Sequence, residues 1–261
     1  MLCSALLSGQ RSRPLRTLLA LITLILAGSA FAANEIDAKV EAALAAESRP
    51  EADRERDRNR RALETLKFFG LKDNMRVLEL IPGGGWYTRV LAPVLSENGK
   101  LYVAIGAGRV KSGALTEPGF ENVEVLETND NIHRPQGSRF YKIDDFDLGV
   151  SGIDMVLTFR NIHNFDPDSR AKVNRQVFKA LKSGGLYGVV DHTMRHMEPQ
   201  NPENRRRIDP VLVIKELLDL GFEMVDYSDL HYRADDELRY EVGRRSVSGN
   251  TDRFTLLFRK P

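Results

Sequence analysis

Residues Val77 to Thr88 read VLELIPGGGWYT: an apolar run carrying one acid, Glu79, then Ile81-Pro82, three glycines and an aromatic pair. The run has the composition of a strand buried on both faces. The three glycines let the backbone turn sharply and approach a ligand, and the helix that follows begins with unpaired N–H groups. A strand, a glycine turn and a helix open the doubly wound α/β sheet, whose ligands sit beyond the carboxyl ends of the strands. Ile81 and Pro82 make this turn bulkier and stiffer than glycine would.

The chain downstream repeats the alternation. Val77–Ile81, Leu101–Ile105, Val123–Leu126, Met155–Phe159 and Leu186–Val190 are nearly all apolar and are predicted strands. Asp166-Pro167 is predicted to start a helix that Gly184-Gly185 stops, and Asp209-Pro210 another that Gly221 stops. Two closing strands, Phe222–Tyr227 and Phe254–Phe258, have no helix between them. The expected fold is α/β: a doubly wound, Rossmann-like sheet, mostly parallel with an antiparallel edge.

Upstream, residues 33–59 read as a charged helical arm, with Pro50 dividing it. Its acids and arginines recur three and four residues apart with mixed signs, which suits a solvated face. Leu63, Leu66 and Phe69 then form an apolar stripe that Gly70 is placed to end. Before the arm, Arg11, Arg13 and Arg16 precede the apolar run LLALITLILA and then Ala30-Phe31-Ala32. This order is that of a secretory signal peptide, residues 1–32, cleaved after Ala32. The run is shorter than the roughly 20 residues a membrane span needs, so no stable span is expected after cleavage and the mature chain is expected in the periplasm or secreted. The sole cysteine, Cys3, precedes the cleavage point, so the mature chain has no thiol nucleophile.

The 261 residues, 42% of them apolar, suffice for one buried core. A net charge of +1 leaves no broad positive field for nucleic acid, and no such partner is expected. The turn has no Gly-Lys-Ser/Thr of a P-loop, and no Gly-x-Ser-x-Gly elbow of an α/β-hydrolase occurs. His133, His163, His192, His196 and His231 show no spacing of a metal site. Four clusters fall at strand ends: Glu79 with Gly83, Gly84 and Gly85; Thr128-Asn129-Asp130; Arg160 to Asn164, containing Asn161 and His163; and Asp191-His192. Alone, each is open to a structural reading as turn, cap or surface histidine; together they mark one edge of the sheet.

VLELIPGGGWYT, DMVLTFRNIHNF, LKSGGLYGVVDH, the segment from Gly221 to Leu230 and the terminal TDRFTLLFRKP resemble the class I S-adenosylmethionine-dependent methyltransferases over about Arg60 to Pro261. The likeness is strongest to predicted members that carry a signal peptide. It implies a seven-stranded sheet with an antiparallel last strand over residues 60–261. It also implies S-adenosyl-L-methionine as cofactor, held by Glu79, Gly83, Gly84, Gly85 and Tyr87 toward its methionine end, by Asp130 facing the adenine and by Asn161 beside the methyl, and a small-molecule substrate near His163 and His192. Either histidine could take a proton from an oxygen or nitrogen nucleophile, with His163 favoured beside Asn161.

Two positions depart from the family. Ile81 replaces the first glycine of the loop, and Ala104-Ile105-Gly106 holds no acid where the family binds the ribose hydroxyls. Glu117 and Glu121 lie in the loop beyond. The alternative reading is an exported methyltransferase-like scaffold that binds another small molecule or a protein without transferring methyl groups. Arg205, Arg206 and Arg207 are expected to face solvent, or else to grip an acidic substrate.

Overall fold

A computed structural model describes residues 35–261; the expected signal peptide, residues 1–32, and its expected cleavage point lie outside the described residues. Nine strands are described: β1 (Arg76–Leu80), β2 (Lys100–Ala104), β3 (Glu124–Val125), β4 (Ile132–His133), β5 (Lys142–Ile143), β6 (Ile153–Phe159), β7 (Leu181–His192), β8 (Glu223–Ser228) and β9 (Arg253–Arg259). Seven form one sheet in the order β3-β2-β1-β6-β7-β9-β8. β3, β2, β1, β6 and β7 run parallel, and β9 lies antiparallel between β7 and β8. β4 and β5 make a separate antiparallel ribbon. The expected fold class, antiparallel ending included, is the observed one.

The alternation of side chains explains the layers. Along β1, β2 and β6, Val77, Leu101, Val103, Met155 and Leu157 point into one core, while Leu78, Tyr102, Ala104 and Val156 point into the other. The first core is covered by a helix through residues 35–45 (α1), by α4 (Ala62–Phe68) and by α5 (Thr88–Leu95). The second is covered by α7 (Pro167–Ala180) and α8 (Pro210–Asp219). Asp166 and Asp209 cap the last two helices, accepting the amides of Ser169 and Val211, each with proline at the first helical position.

Two expectations need correction. α7 ends at Ala180, because Leu181 turns extended, enters the core and pairs with Ile153; Gly184-Gly185 therefore lie within β7. The arm is a series of short helices, α1, α2 (Glu51–Arg54) and α3 (Asp57–Arg60), with the chain turning left-handed at Arg61 before α4. The remaining short helix, α6 (Gly108–Lys111), follows β2. Val40 and Ala43 of α1 belong to the same core as Trp86 and Leu66. Among the described residues, no helix is long and apolar enough to cross a membrane.

Candidate active site

The glycine turn after β1 walls a cavity of about 480 Å³, within the range of small-molecule sites. Glu79, Ile81, Pro82, Gly83, Gly84, Tyr87 and Asn161 line it from the sheet, and Asp53, Arg56 and Arg60 from the arm. Glu79 is buried, with one oxygen accepting from Thr88 Oγ1 at 2.6 Å. Loss of water raises its pKa to about 7, despite the Thr88 bond and the Arg60 charge. Tyr87 stacks on Phe159 with ring centroids 3.4 Å apart. Gly85 is not on the wall: a Cβ there would stand 2.7 Å from Cβ of Ala114, so this glycine lets α5 close onto the segment after α6.

The residues that follow β1, β2 and β6, namely Ile81, Ile105 and Arg160, all have left-handed backbones, with φ of 52°, 63° and 64°. For β-branched isoleucine this is a strained state, and strain of this kind gathers at functional edges. Its effect at Ile105 is to turn the side chain into the core, where it is 1% exposed. The position where the resemblance leads one to look for a ribose-binding acid therefore packs inward. A carboxylate still reaches that edge: Asp130 accepts the amide of Gly106 at 2.9 Å and bonds Thr128. Glu117 is engaged elsewhere, by Arg89 at 2.5 Å, and Glu121 accepts the amide of Gly119. Asn161 spans two strand ends, its Nδ2 donating to the carbonyls of Leu80 and Ile81.

β6 and β7 bring His163 and Asp191 together. Nδ1 of His163 lies 2.5 Å from Oδ1 of Asp191, which is fully buried and also accepts the amides of His163 and His192. The His192 ring lies 5.6 Å from that of His163, its Nδ1 2.9 Å from Thr251 Oγ1. Burial, then the charges of His163, Arg253, Arg160 and Arg207, holds His192 well below the usual histidine pKa. Both histidines line a cleft shared with Arg160, and Arg160 also lines the glycine-turn cavity. The other histidines stand apart: His196 beside Asp209, His231 buried against Thr255 and the Arg60 carbonyl, and His133 exposed on β4.

The arm and the long connections contribute residues that their charge disguised. Arg60 is buried over Trp86, 4.4 Å from the ring centroid, and Trp86 Nε1 donates to the Asp53 carbonyl. The face expected to be solvated is thus partly a docking face, and the aromatic pair after the glycines holds it. Arg207 is also buried, paired with Asp236 at 2.9 Å, while Arg206 pairs with Glu241 at the rim of the cleft. These ion pairs tie the connection after β7 to the one before β9.

No protein-family model and no curated protein matches this sequence. Among solved structures, the chain is similar to a SAM-dependent methyltransferase from Aquifex aeolicus, with TM-score 0.55, 18% identity, and 81% of this chain and 98% of that one covered. It is also similar to the cyclase SpnF, with TM-score 0.51, 17% identity, and 80% and 81% covered. The fold is therefore the Rossmann-like fold of the class I methyltransferases. A cyclase on the same fold shows that the fold alone does not set the reaction.

Proposed function

We propose that this chain is an S-adenosylmethionine-dependent methyltransferase acting on a small molecule. The observation that carries the reading is the junction at Arg160, where the glycine-turn cavity meets the cleft lined by His163 and His192. A cofactor site and a proton-accepting site thus adjoin at the carboxyl edge of the sheet. The wall suits the cofactor's groups. Oε1 of Glu79 has no hydrogen-bond partner among the described residues and matches an ammonium. The open space at Gly83 admits close approach. Asp130 lies outside the lining of this cavity, at the end of β2, where it bonds Gly106 and Thr128, and its carboxylate would meet the ribose hydroxyls from there.

S-adenosylmethionine would supply a methyl group already activated on sulfur. The chain's part is to orient the acceptor and to remove its proton. Asp191 holds the proton of His163 at Nδ1, leaving Nε2 to accept one from an O–H or N–H nucleophile. His192, kept neutral, borders the same space. The sequence of residues 11–32 supports export with cleavage after Ala32, and mass spectrometry of the exported chain should find Ala33 at its N-terminus; an intact Met1 would contradict this.

Equilibrium dialysis with methyl-labelled S-adenosylmethionine tests the cofactor reading. Retention by the wild type and loss in Gly83→Trp is the expected result. Equal retention by both chains would remove the turn from the site.

A further inference from the structure

We propose that a second cavity, of about 320 Å³, bordered by His192 and walled by Arg56, Arg60, Arg160, Arg206 and Arg253, is an anion site that holds the substrate by a phosphate monoester or a pair of carboxylates. The identification of the anion as substrate rests on the methyltransferase reading; the anion site itself does not.

The buried arginines of this protein fall into two groups. Arg49, Arg89, Arg170 and Arg207 are buried, and each holds a carboxylate: Asp57 at 2.7 Å, Glu117 at 2.5 Å, Glu216 at 2.6 Å and Asp236 at 2.9 Å. Arg60 and Arg253 are buried as deeply, 6% and 7% exposed, and neither has a carboxylate partner among the described residues. Nor does Arg160. All three face this cavity, and no aspartate or glutamate lines it. The Nε atoms of Arg60 and Arg253 are buried without any partner. Uncompensated buried cations are costly, and departures from polar satisfaction concentrate where a ligand completes the site.

The guanidinium groups are nonetheless held in place. Trp86 lies beneath Arg60, and Arg253 donates to the Asn59 carbonyl at 2.6 Å. The left-handed backbone at Arg160 fixes where that side chain departs. Burial and then the Arg160 charge lower Arg60 to about 9 and Arg253 to about 10, so both remain cations at neutral pH. Their planar forks match phosphate and carboxylate oxygens in pairs. An anion held this way has its lone pairs occupied, so it serves as a handle, and the atom that accepts the methyl group lies elsewhere on the molecule, toward His192 and His163.

The test uses the mature chain from Ala33, with inorganic pyrophosphate and citrate as separate probes, followed by calorimetry and by thermal denaturation. The wild type should bind at least one probe at millimolar concentration; preference for pyrophosphate assigns the phosphate, and preference for citrate the carboxylates. Arg253→Met and the exposed Arg56→Gln should each weaken binding about tenfold to a hundredfold. Without anion, Arg60→Met should melt at a higher temperature than the wild type, because an unpaired buried charge is removed. Absence of binding by both probes, or affinity unchanged in Arg56→Gln and Arg253→Met, would overturn the proposal. S-adenosylmethionine titrated in parallel separates the two readings: its binding without anion binding sinks this inference alone, and the converse sinks the methyltransferase reading alone.

Discussion

His163, just beyond β6, and Asp191, near the end of β7, meet through Nδ1 and Oδ1 at 2.5 Å, and the same carboxylate accepts two backbone amides. A carboxylate only accepts, so the neutral imidazole carries its proton on Nδ1. Nitrogen chemical shifts should therefore show an unprotonated Nε2 in the neutral wild type and a mixture of tautomers in Asp191→Asn. A wild-type ring protonated at Nε2 would contradict the assignment. Asp191→Ala leaves three donors without their acceptor in a buried place and should cost about 3 kcal/mol or more in urea denaturation.

The glycines of the turn do different jobs, and alanine separates them. Gly83 and Gly85 both have left-handed backbones, but a Cβ meets nothing at Gly83 and meets Ala114 and Val110 at Gly85. Gly83→Ala should cost about 1 kcal/mol of stability. Gly85→Ala adds overpacking and should cost about 2 to 4 kcal/mol. Equal losses would show that the packing after α6 is not what Gly85 serves.

Glu79 and the buried histidines set opposing pH dependences. Burial raises Glu79 from 4.5 to about 7, so the folded chain binds the extra proton and stability falls as pH rises through that window. Burial lowers His231 from 6.5 to about 4, so its contribution is present above 6.5 and is lost as pH falls toward 4. In Glu79→Gln the lowered histidines dominate between pH 5 and pH 7, since the lowered aspartates act below that window. The gain in unfolding free energy between pH 5 and pH 7 should exceed that of the wild type by about 2 kcal/mol. An unchanged difference would mean that Glu79 is not perturbed.

Asp130 and Ile105 separate two routes by which the proposed site would hold ribose. Asp130→Ala should weaken S-adenosylmethionine binding about tenfold to a hundredfold, the value of one charge-assisted contact. Ile105→Asp should not restore it, because that side chain points into the core. Recovery of affinity in the double variant, measured by equilibrium dialysis, would show that position 105 reaches the ribose.

The central strands β1, β2 and β6 were legible because each is a short apolar run covered on both faces, and two of the helices because Asp-Pro marks their starts; the two-residue strands β4 and β5 carry no such run and went unread. The strand-end clusters were legible for the same reason, since sheet topology alone carries Glu79, Asp130, Asn161, His163 and His192 to one edge. Pairings were not. Asp191 and His163 are 28 residues apart, and Arg207 and Asp236 are 29 apart, with no local pattern to join them. Arg60 was hidden inside a run of charges typical of a solvated helix. The one signal was Trp86-Tyr87 after the glycines, an aromatic surface that needed a partner and found a guanidinium. The inward turn of Ile105 is a backbone property that residue type argues against.

Calorimetric titration of the chain from Ala33 tests most directly whether the glycine-turn cavity binds S-adenosylmethionine. One-to-one binding with measurable heat, lost in Gly83→Trp and weakened in Asp130→Ala, is the predicted result. Absence of heat and of thermal stabilisation at millimolar S-adenosylmethionine and S-adenosylhomocysteine, with the chain folded, would contradict it.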